Sequence, residues 1–211
     1  LYGQMIGRAV IMEKNSKTVE IMLSSVRPTE LMLGKIFGRG LAGILQYGVW
    51  IAIAVVIIQI AGPLFSIALP SSLTIINLGF MLLFFILAFF LYAGLYAALG
   101  AGSEDEQHLG QISWPLILFL VFPIMLISFL VMEPGATFVV VLSLFPLTAP
   151  IVMFVRILIS SPPVWEVLLS IAIIIRSISI AAAGAAKIFR VGILMTGKKY
   201  SFREIVRWVR Y

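Results

Sequence analysis

The sequence predicts an all-α integral membrane protein, built as a polytopic bundle of helices. The first observation is composition, because 62% of the 211 residues are hydrophobic and only 11% are charged. A soluble domain is about one quarter charged. The second observation is the distribution of charge, since residues 40–103 contain no Asp, Glu, Lys or Arg. So few polar side chains cannot cover the surface of a globule, and much of that surface must face lipid.

Four segments are long and apolar enough to cross a bilayer, which takes about 20 residues of helix. Stretches rich in Gly, Pro and Ser separate them, as expected of connecting turns. Pro123 should kink the third segment, because proline cannot donate the helical hydrogen bond. We predict spans at about residues 41–60, 73–99, 112–132 and 164–186.

A fifth apolar stretch, residues 138–155, contains Pro146 and Pro150, each of which removes a helical hydrogen bond. Lys and Arg are concentrated in the flanks of the apolar body, and the positive-inside rule assigns such groups to the cytoplasmic side. Four spans put both basic flanks on that side, whereas a fifth full span would separate them. We therefore expect this stretch to form a re-entrant pair of half-helices near the outer face.

The N-terminal flank is predicted to be cytoplasmic in two parts. Residues 1–12 are interpreted as the cytoplasmic end of a truncated transmembrane helix, because the sequence begins in a mildly apolar segment. Residues 13–35 form a segment with a short amphipathic helix. Pro28 suits the first position of the following helix, and Glu30 then falls in its first turn.

Residues 36–190 are assigned to the transmembrane domain, and residues 191–211 to a cytoplasmic tail. Arginines recur along one face of a predicted helix in the tail, which favours a helix lying on anionic lipid. Small residues at a spacing of four, at the start of the first span, predict close packing against another helix. These small residues are Gly34, Gly38 and Ala42.

Several kinds of site are disfavoured. The absence of cysteine excludes disulfides and thiolate metal sites. The net charge of +6 lies in the flanks, so membrane topology explains it better than a nucleic-acid partner. The acidic run from Glu104 to Glu106, near the single histidine His108, contains residue types that bind metal ions. Three adjacent carboxylates cannot all converge on one ion, so we predict an ordinary cytoplasmic loop and no bound metal.

The segment from Glu13 to Lys35 resembles the signature of the ABC-2-type transporter permeases, with the NatB-like, sodium-efflux-type subgroup as the nearest match. The pattern is an acidic residue, a Thr-x-Glu-x-Leu-Leu-like core at residues 18–23, Pro28, and a closing Leu-Gly-Lys. Lys17 departs from it, because the family often has Gly before the core. Three later pieces agree in order, at residues 98–100, 144–153 and 190–194.

The resemblance implies the permease subunit of an export-type ABC transporter, which performs no covalent chemistry itself. ATP and Mg would be bound by a separate ABC ATPase subunit, and this chain would bind no cofactor. Residues 192–199 read G-x-x-x-x-G-K-K, but a phosphate-binding loop needs Ser or Thr after the Lys and a preceding strand. A second permease copy would complete a homodimer or heterodimer in the cell membrane, with both ends of this chain cytoplasmic.

The resemblance also implies a coupling helix, seated in a groove of the ATPase subunit. Charged side chains there could form charge-assisted hydrogen bonds to the partner. The alternative is a solvated helix face, on which an ion pair is worth roughly 0–1 kcal/mol. The residues expected to contact the ATPase are Glu13, Glu20, Arg27, Pro28 and Glu30.

Two arginines lie within the apolar body. Arg176 is near the middle of the last predicted span, where a charge costs about 2.5–3.5 kcal/mol on insertion scales. We expect it to line a translocation path or to bond between helices, and both alternatives stay open. Arg156, at the end of the broken stretch, is expected to bond carbonyl groups there. Together with Pro146 and Pro150 these arginines are the candidate path or interhelix residues.

An ion-coupled secondary transporter or channel is the alternative function. It would require intramembrane carboxylates or internal repeats, whereas Glu133 and Glu166 lie only at the outer ends of predicted spans. An intramembrane enzyme would require paired acids or metal ligands within the spans. The substrate stays open between sodium, coordinated by carbonyls freed at the two prolines, and an amphipathic or hydrophobic molecule.

Overall fold

The structure, a computed structural model, describes residues 2–15, 28–65 and 74–194. These residues form eight helices and no strand, so the predicted all-α class is confirmed. Most of the expected coupling helix, and the tail from residue 195 onward, lie outside the described residues. The helices are α1 Tyr2–Asn15, α2 Pro28–Phe65, α3 Ile75–Gly102, α4 Glu106–Met125, α5 Ile127–Met132, α6 Thr137–Leu144, α7 Ala149–Ser160 and α8 Val164–Leu194.

Four of these helices are long and apolar enough to cross a membrane, as the sequence predicts. Their length and composition alone establish this. The candidate spans are Ile36–Ile53 within α2, then Ile75–Gly102, Glu106–Met125 and Val164–Ile188.

The first long helix, α2, begins at Pro28 and runs through 38 residues without interruption. The end of the expected cytoplasmic segment and the first span are therefore one helix. The small residues at its start make no close crossing with the described part of the chain. A Cβ added at Gly34 or Gly38 would meet no described atom within 4 Å, so the packing predicted there is not found.

The third span is broken near Pro123. Helix α4 ends at Met125 and α5 begins at Ile127, with Leu126 between them at φ −92° and ψ 9°. Pro123 has no N–H to donate to the preceding turn, which weakens the helix at this point. The amide of Leu126 still bonds to the carbonyl of Phe122 at 3.2 Å, so the chain bends here and continues. This span runs from Glu106 to the bend, earlier in the chain than predicted.

The proline-rich stretch forms two short helices, α6 of 8 residues and α7 of 12 residues. At 1.5 Å per residue they are about 12 and 18 Å long, too short to cross a hydrocarbon core of about 30 Å. Pro146 lies in the turn between them, and Pro150 lies in the first turn of α7, where its missing N–H costs no helical bond.

Helix α3 is the centre of the packing, between α1 and α8. A Cβ added at Gly100 would meet the backbone of Gly7, whose Cα is 2.8 Å away, so the two helices touch backbone to backbone. On the other side, a Cβ added at Gly94 would lie 3.2 Å from that of Ala181. Glycine at these crossings allows three helices to approach closely.

The bundle has two distinct ends. At one, the start of α4 meets α1, since Arg8 Nε lies 3.2 Å from Glu106 Oε2. At the other, which we term the short-helix end, α5, α6 and α7 gather beside the starts of α3 and α8. Between the ends, the outward faces of α2 and α4 carry large apolar side chains, as expected of surfaces in contact with lipid.

Candidate functional site

Buried charge is concentrated at the short-helix end. Arg156 in α7 and Glu166 in α8 have side chains only 4% and 10% exposed, and Arg156 Nη1 lies 2.7 Å from Glu166 Oε2. This oxygen accepts no well-aligned hydrogen bond from the described residues, so the attraction is mainly that of opposite charges. Two buried opposite charges at this distance offset much of the cost of removing each from water.

Arg156 is also the centre of a hydrogen-bond network. Its Nε donates to the carbonyl of Pro134 at 3.0 Å, and its Nη1 donates to Ser143 Oγ at 2.8 Å. The carbonyl of Ser143 in turn accepts from Ser170 Oγ at 2.9 Å. One guanidinium therefore joins the turn after α5, the helix α6 and the start of α8.

Two further hydroxyls fix the turn between the short helices. Thr148 Oγ1 donates to the carbonyl of Leu142 at 2.7 Å, the carbonyl that Pro146 leaves without its helical donor. Tyr92 Oη, from α3, donates to the carbonyl of Leu147 at 2.8 Å. Each of these two oxygens already accepts a hydrogen bond from inside the bundle, which leaves one lone pair for any other ligand.

Pro150 lines an apolar groove of about 450 Å³ that opens on the side of the bundle. Aromatic and aliphatic side chains form nearly all of its wall, which suits a hydrophobic or amphipathic molecule better than a hydrated ion. The wall consists of Gly3, Tyr47, Met81, Phe84, Phe85, Ala88, Phe89, Tyr92, Leu120, Pro150, Ile151 and Phe154.

Arg176 lies elsewhere, twelve residues after the start of α8 and about 18 Å along its axis. Its side chain is exposed and makes no hydrogen bond or ion pair with any residue that the structure describes. The structure thus separates the two arginines that the sequence grouped with the prolines. Arg156 joins Pro146 and Pro150 at the short-helix end, whereas Arg176 does not.

The residues expected to contact an ATPase are partly described. Glu13 lies in the last turn of α1, Pro28 is the first residue of α2, and Glu30 is exposed in the first turn of α2. Glu20 and Arg27 lie outside the described residues. Their role in coupling stays a prediction.

The acidic run before α4 is divided among different partners. Asp105 caps α4, its Oδ1 accepting from the amide of His108 at 2.6 Å. Glu106 pairs with Arg8 in α1. In the described ranges, no group of three or more His, Asp or Glu side chains is arranged to hold a metal ion.

The sequence reasoning missed the role of Glu166, which it considered only as an acid at the end of a span. One feature of the sequence indicates the pairing: Glu166 follows Arg156 by ten positions, across the turn at Ser160–Pro163. Opposite charges on either side of a tight turn between two apolar helices favour pairing. The contributions of Ser143 and Tyr92 had no comparable signal, since an uncharged hydroxyl in an apolar segment does not indicate its partner.

Comparison with known proteins identifies relatives along the whole chain. A family model described as "ABC-2 family transporter protein" matches residues 1–187. The chain is 31% identical to the uncharacterised protein YhaP of Bacillus subtilis (strain 168), over all of this chain and 52% of that protein. It is 29% identical to the uncharacterised protein MJ1024 of Methanocaldococcus jannaschii, over 94% of this chain and 47% of that protein. It spans about half the length of these curated relatives. No solved structure matches it significantly.

Proposed function

Because the chain belongs to the ABC-2 transporter family, we propose that it is the membrane-spanning permease part of an ABC exporter. Members of this family are membrane transport components and not catalysts, and the four long apolar helices fit a multi-pass membrane protein. The single observation that carries the proposal is the family match, which extends over nearly all of these helices.

In this proposal a separate ATPase subunit binds ATP and Mg and supplies the energy. The subunit would contact the segment between α1 and α2, through Glu13, Glu20, Arg27, Pro28 and Glu30. The length of α2 supports such coupling, because one unbroken helix of about 57 Å leads from Pro28 into the membrane. A push on its first turn would move the whole span as a rigid rod.

The assembly would contain a second permease copy, identical or related, in the cell membrane, with both ends of this chain cytoplasmic. Membership of the NatB-like subgroup is part of the proposal, and the exported substrate is sodium or an amphipathic or hydrophobic molecule. The apolar groove beside Pro150 favours the second class.

The alternative, an ion-coupled transporter or channel, has less support. It requires a carboxylate within the membrane that is free to bind a cation. Among the described residues Glu166 is the buried glutamate of the bundle, and Arg156 already neutralises it at 2.7 Å. A cation would have to displace that guanidinium first.

The proposal is tested with the full-length protein and its ATPase. The double variant Glu20→Arg with Pro28→Ala should abolish co-purification of the two subunits and transport-coupled ATP hydrolysis. Gln107→Arg is the matched control, because it adds a charge at an exposed position of the same end. Unchanged co-purification and hydrolysis in the double variant would contradict the proposed coupling.

A further inference from the structure

The exposed face of α8 around Arg176 combines one charged group with small side chains and with the large apolar side chains of Trp165, Leu169 and Ile180. At 100° per residue, Ala172, Ser179 and Ala183 lie on the same side of the helix as Arg176, and all are exposed. On α4, by contrast, the exposed side chains from residue 114 onward are apolar and include no charged group. They include Trp114, Leu118, Val121, Phe122 and Met125.

The guanidinium of Arg176 is the unsatisfied group of this face. Ser179 Oγ donates to the carbonyl of Ile175 at 3.1 Å, and Ser177 Oγ to that of Ile173 at 2.8 Å, so both hydroxyls are bonded within their own helix. Arginine has five N–H donors and no acceptor. Within the described part of the chain, none of these donors has a partner.

Between residues 74 and 194, the carboxylates lie toward the two ends of the bundle, whereas Arg176 lies near the middle of α8. Glu166 belongs to the buried pair at the short-helix end, and Glu133 lies in the turn after α5 at that same end. Glu104, Asp105 and Glu106 lie at the opposite end. A cationic group in the middle of a span must face protein or water, because it is too deep to reach the surface.

From this placement we propose that Arg176 binds the anionic head group, a carboxylate or phosphate, of an amphipathic substrate passing along this face of α8. The inference rests on the proposed exporter function and names its substrate class. A planar guanidinium matches both anions bidentately, and the small side chains of Ala172 and Ala183 leave room for the head group. Ile175 and Ile180, exposed beside it, provide apolar contact for the tail. The same charge repels sodium, so the inference selects between the two substrate classes left open.

The experiment uses the full-length protein with its ATPase in proteoliposomes. One fluorescent acyl chain is prepared with four head groups: carboxylate, phosphate, hydroxyl and trimethylammonium. Binding to the nucleotide-free protein and ATP-driven transport are measured separately, and inorganic phosphate is added to distinguish a free anion from an amphiphile. We expect the carboxylate and phosphate probes to bind at least about tenfold more tightly than the trimethylammonium probe, as charge-assisted hydrogen bonds allow.

Arg176→Gln should remove this preference, and Arg176→Lys should retain only part of it, since lysine cannot bind an anion bidentately. Should Arg176→Gln fail to fold, Ala172→Glu tests the same point. Its carboxylate lies one turn from Arg176, where it would neutralise the guanidinium and weaken binding of the anionic probes. Ser177→Ala is the matched control and should bind like the unaltered protein, because Ser177 lies about 100° around the helix from Arg176 and bonds within its own helix.

The outcomes separate this inference from the proposed function. ATP-driven transport with a head-group preference that Arg176→Gln leaves unchanged overturns the anion site and preserves the exporter. Binding that depends on Arg176 without ATP-driven transport supports the site and contradicts the exporter. If inorganic phosphate competes fully with every anionic probe, the site takes free anions and the amphiphile assignment is wrong. If Arg176→Gln dissociates the assembly while probe binding is unchanged, Arg176 is an assembly contact and the inference fails.

Discussion

Arg156 and Arg176 are both arginines in an apolar helical bundle, yet their surroundings are opposite. Arg156 is 4% exposed, contacts Glu166 at 2.7 Å, and donates to Pro134 and Ser143. Arg176 is exposed and has no partner among the described residues. A charge that is fully bonded inside a protein holds elements together, whereas an unbonded one on a membrane-spanning face retains its capacity to bind something else. This difference is the basis for the structural role that we propose for Arg156 and the ligand-binding role that we propose for Arg176.

The variant with the largest expected effect on stability removes the buried charge of Arg156. Arg156→Leu would leave Glu166 buried without its counter-charge, which costs about 3–5 kcal/mol of stability. Denaturant unfolding of the purified protein, followed by tryptophan fluorescence, measures this loss. In the double variant with Glu166→Leu most of the stability should return, because no uncompensated charge remains. If Arg156→Leu unfolds like the unaltered protein, the pair has no structural role.

A smaller effect is expected from the hydroxyl that Arg156 bonds. Ser143→Ala removes a hydrogen bond to a charged donor, worth about 1.5–3 kcal/mol. Ser177→Ala removes a hydroxyl bonded only within its own helix and should change unfolding by less than about 0.5 kcal/mol. Equal losses in the two variants would mean that the network adds nothing beyond local bonding.

The contact of α3 with the short helices should contribute less again. Tyr92→Phe removes the bond to the carbonyl of Leu147 and should lower the free energy of unfolding by about 0.5–1.5 kcal/mol. Tyr47→Phe is the control, since Tyr47 stacks on Phe85 with ring centroids 4.1 Å apart and keeps that contact without its hydroxyl. A loss in the control as large as in Tyr92→Phe would contradict the assignment.

The smallest effect on stability is expected at Arg176 itself. Arg176→Gln breaks no bond to the described residues, so unfolding should change by no more than about 0.5 kcal/mol. The same denaturant titration measures it beside Arg156→Leu. A loss above about 1 kcal/mol would show that Arg176 has a protein partner, and would remove the contrast between the two arginines.

Much of the fold was predictable, because the bilayer requires long apolar segments to form helices that cross it. Long apolar segments bounded by Gly, Pro and Ser indicate helices that cross a bilayer, and the four long helices follow that pattern. Pro123, Pro146 and Pro150 marked the bend and the short helices, because a missing N–H acts locally whatever the tertiary structure. The boundaries were less accurate, since capping by Asp105 begins α4 earlier than hydropathy alone suggests.

Helix crossings were not predictable in the same way. The chain has 17 glycines, and the sequence singled out Gly34 and Gly38, which pack against no described residue. The backbone contact forms instead between Gly7 and Gly100. Small size permits a close approach at any glycine, but the relative position of two helices decides which glycine is used.

For the candidate site, the sequence by itself determined that two arginines lie within the apolar body and that each must find a partner or water. It expected Arg156 to bond carbonyl groups and left the role of Arg176 open, because depth within a span does not indicate which partner the fold supplies. Only the tertiary structure decided which arginine has partners within the described residues. It brings Glu166, Ser143 and Pro134 within bonding distance of Arg156, and it turns Arg176 outward on the opposite side of α8 from the helices packed against it.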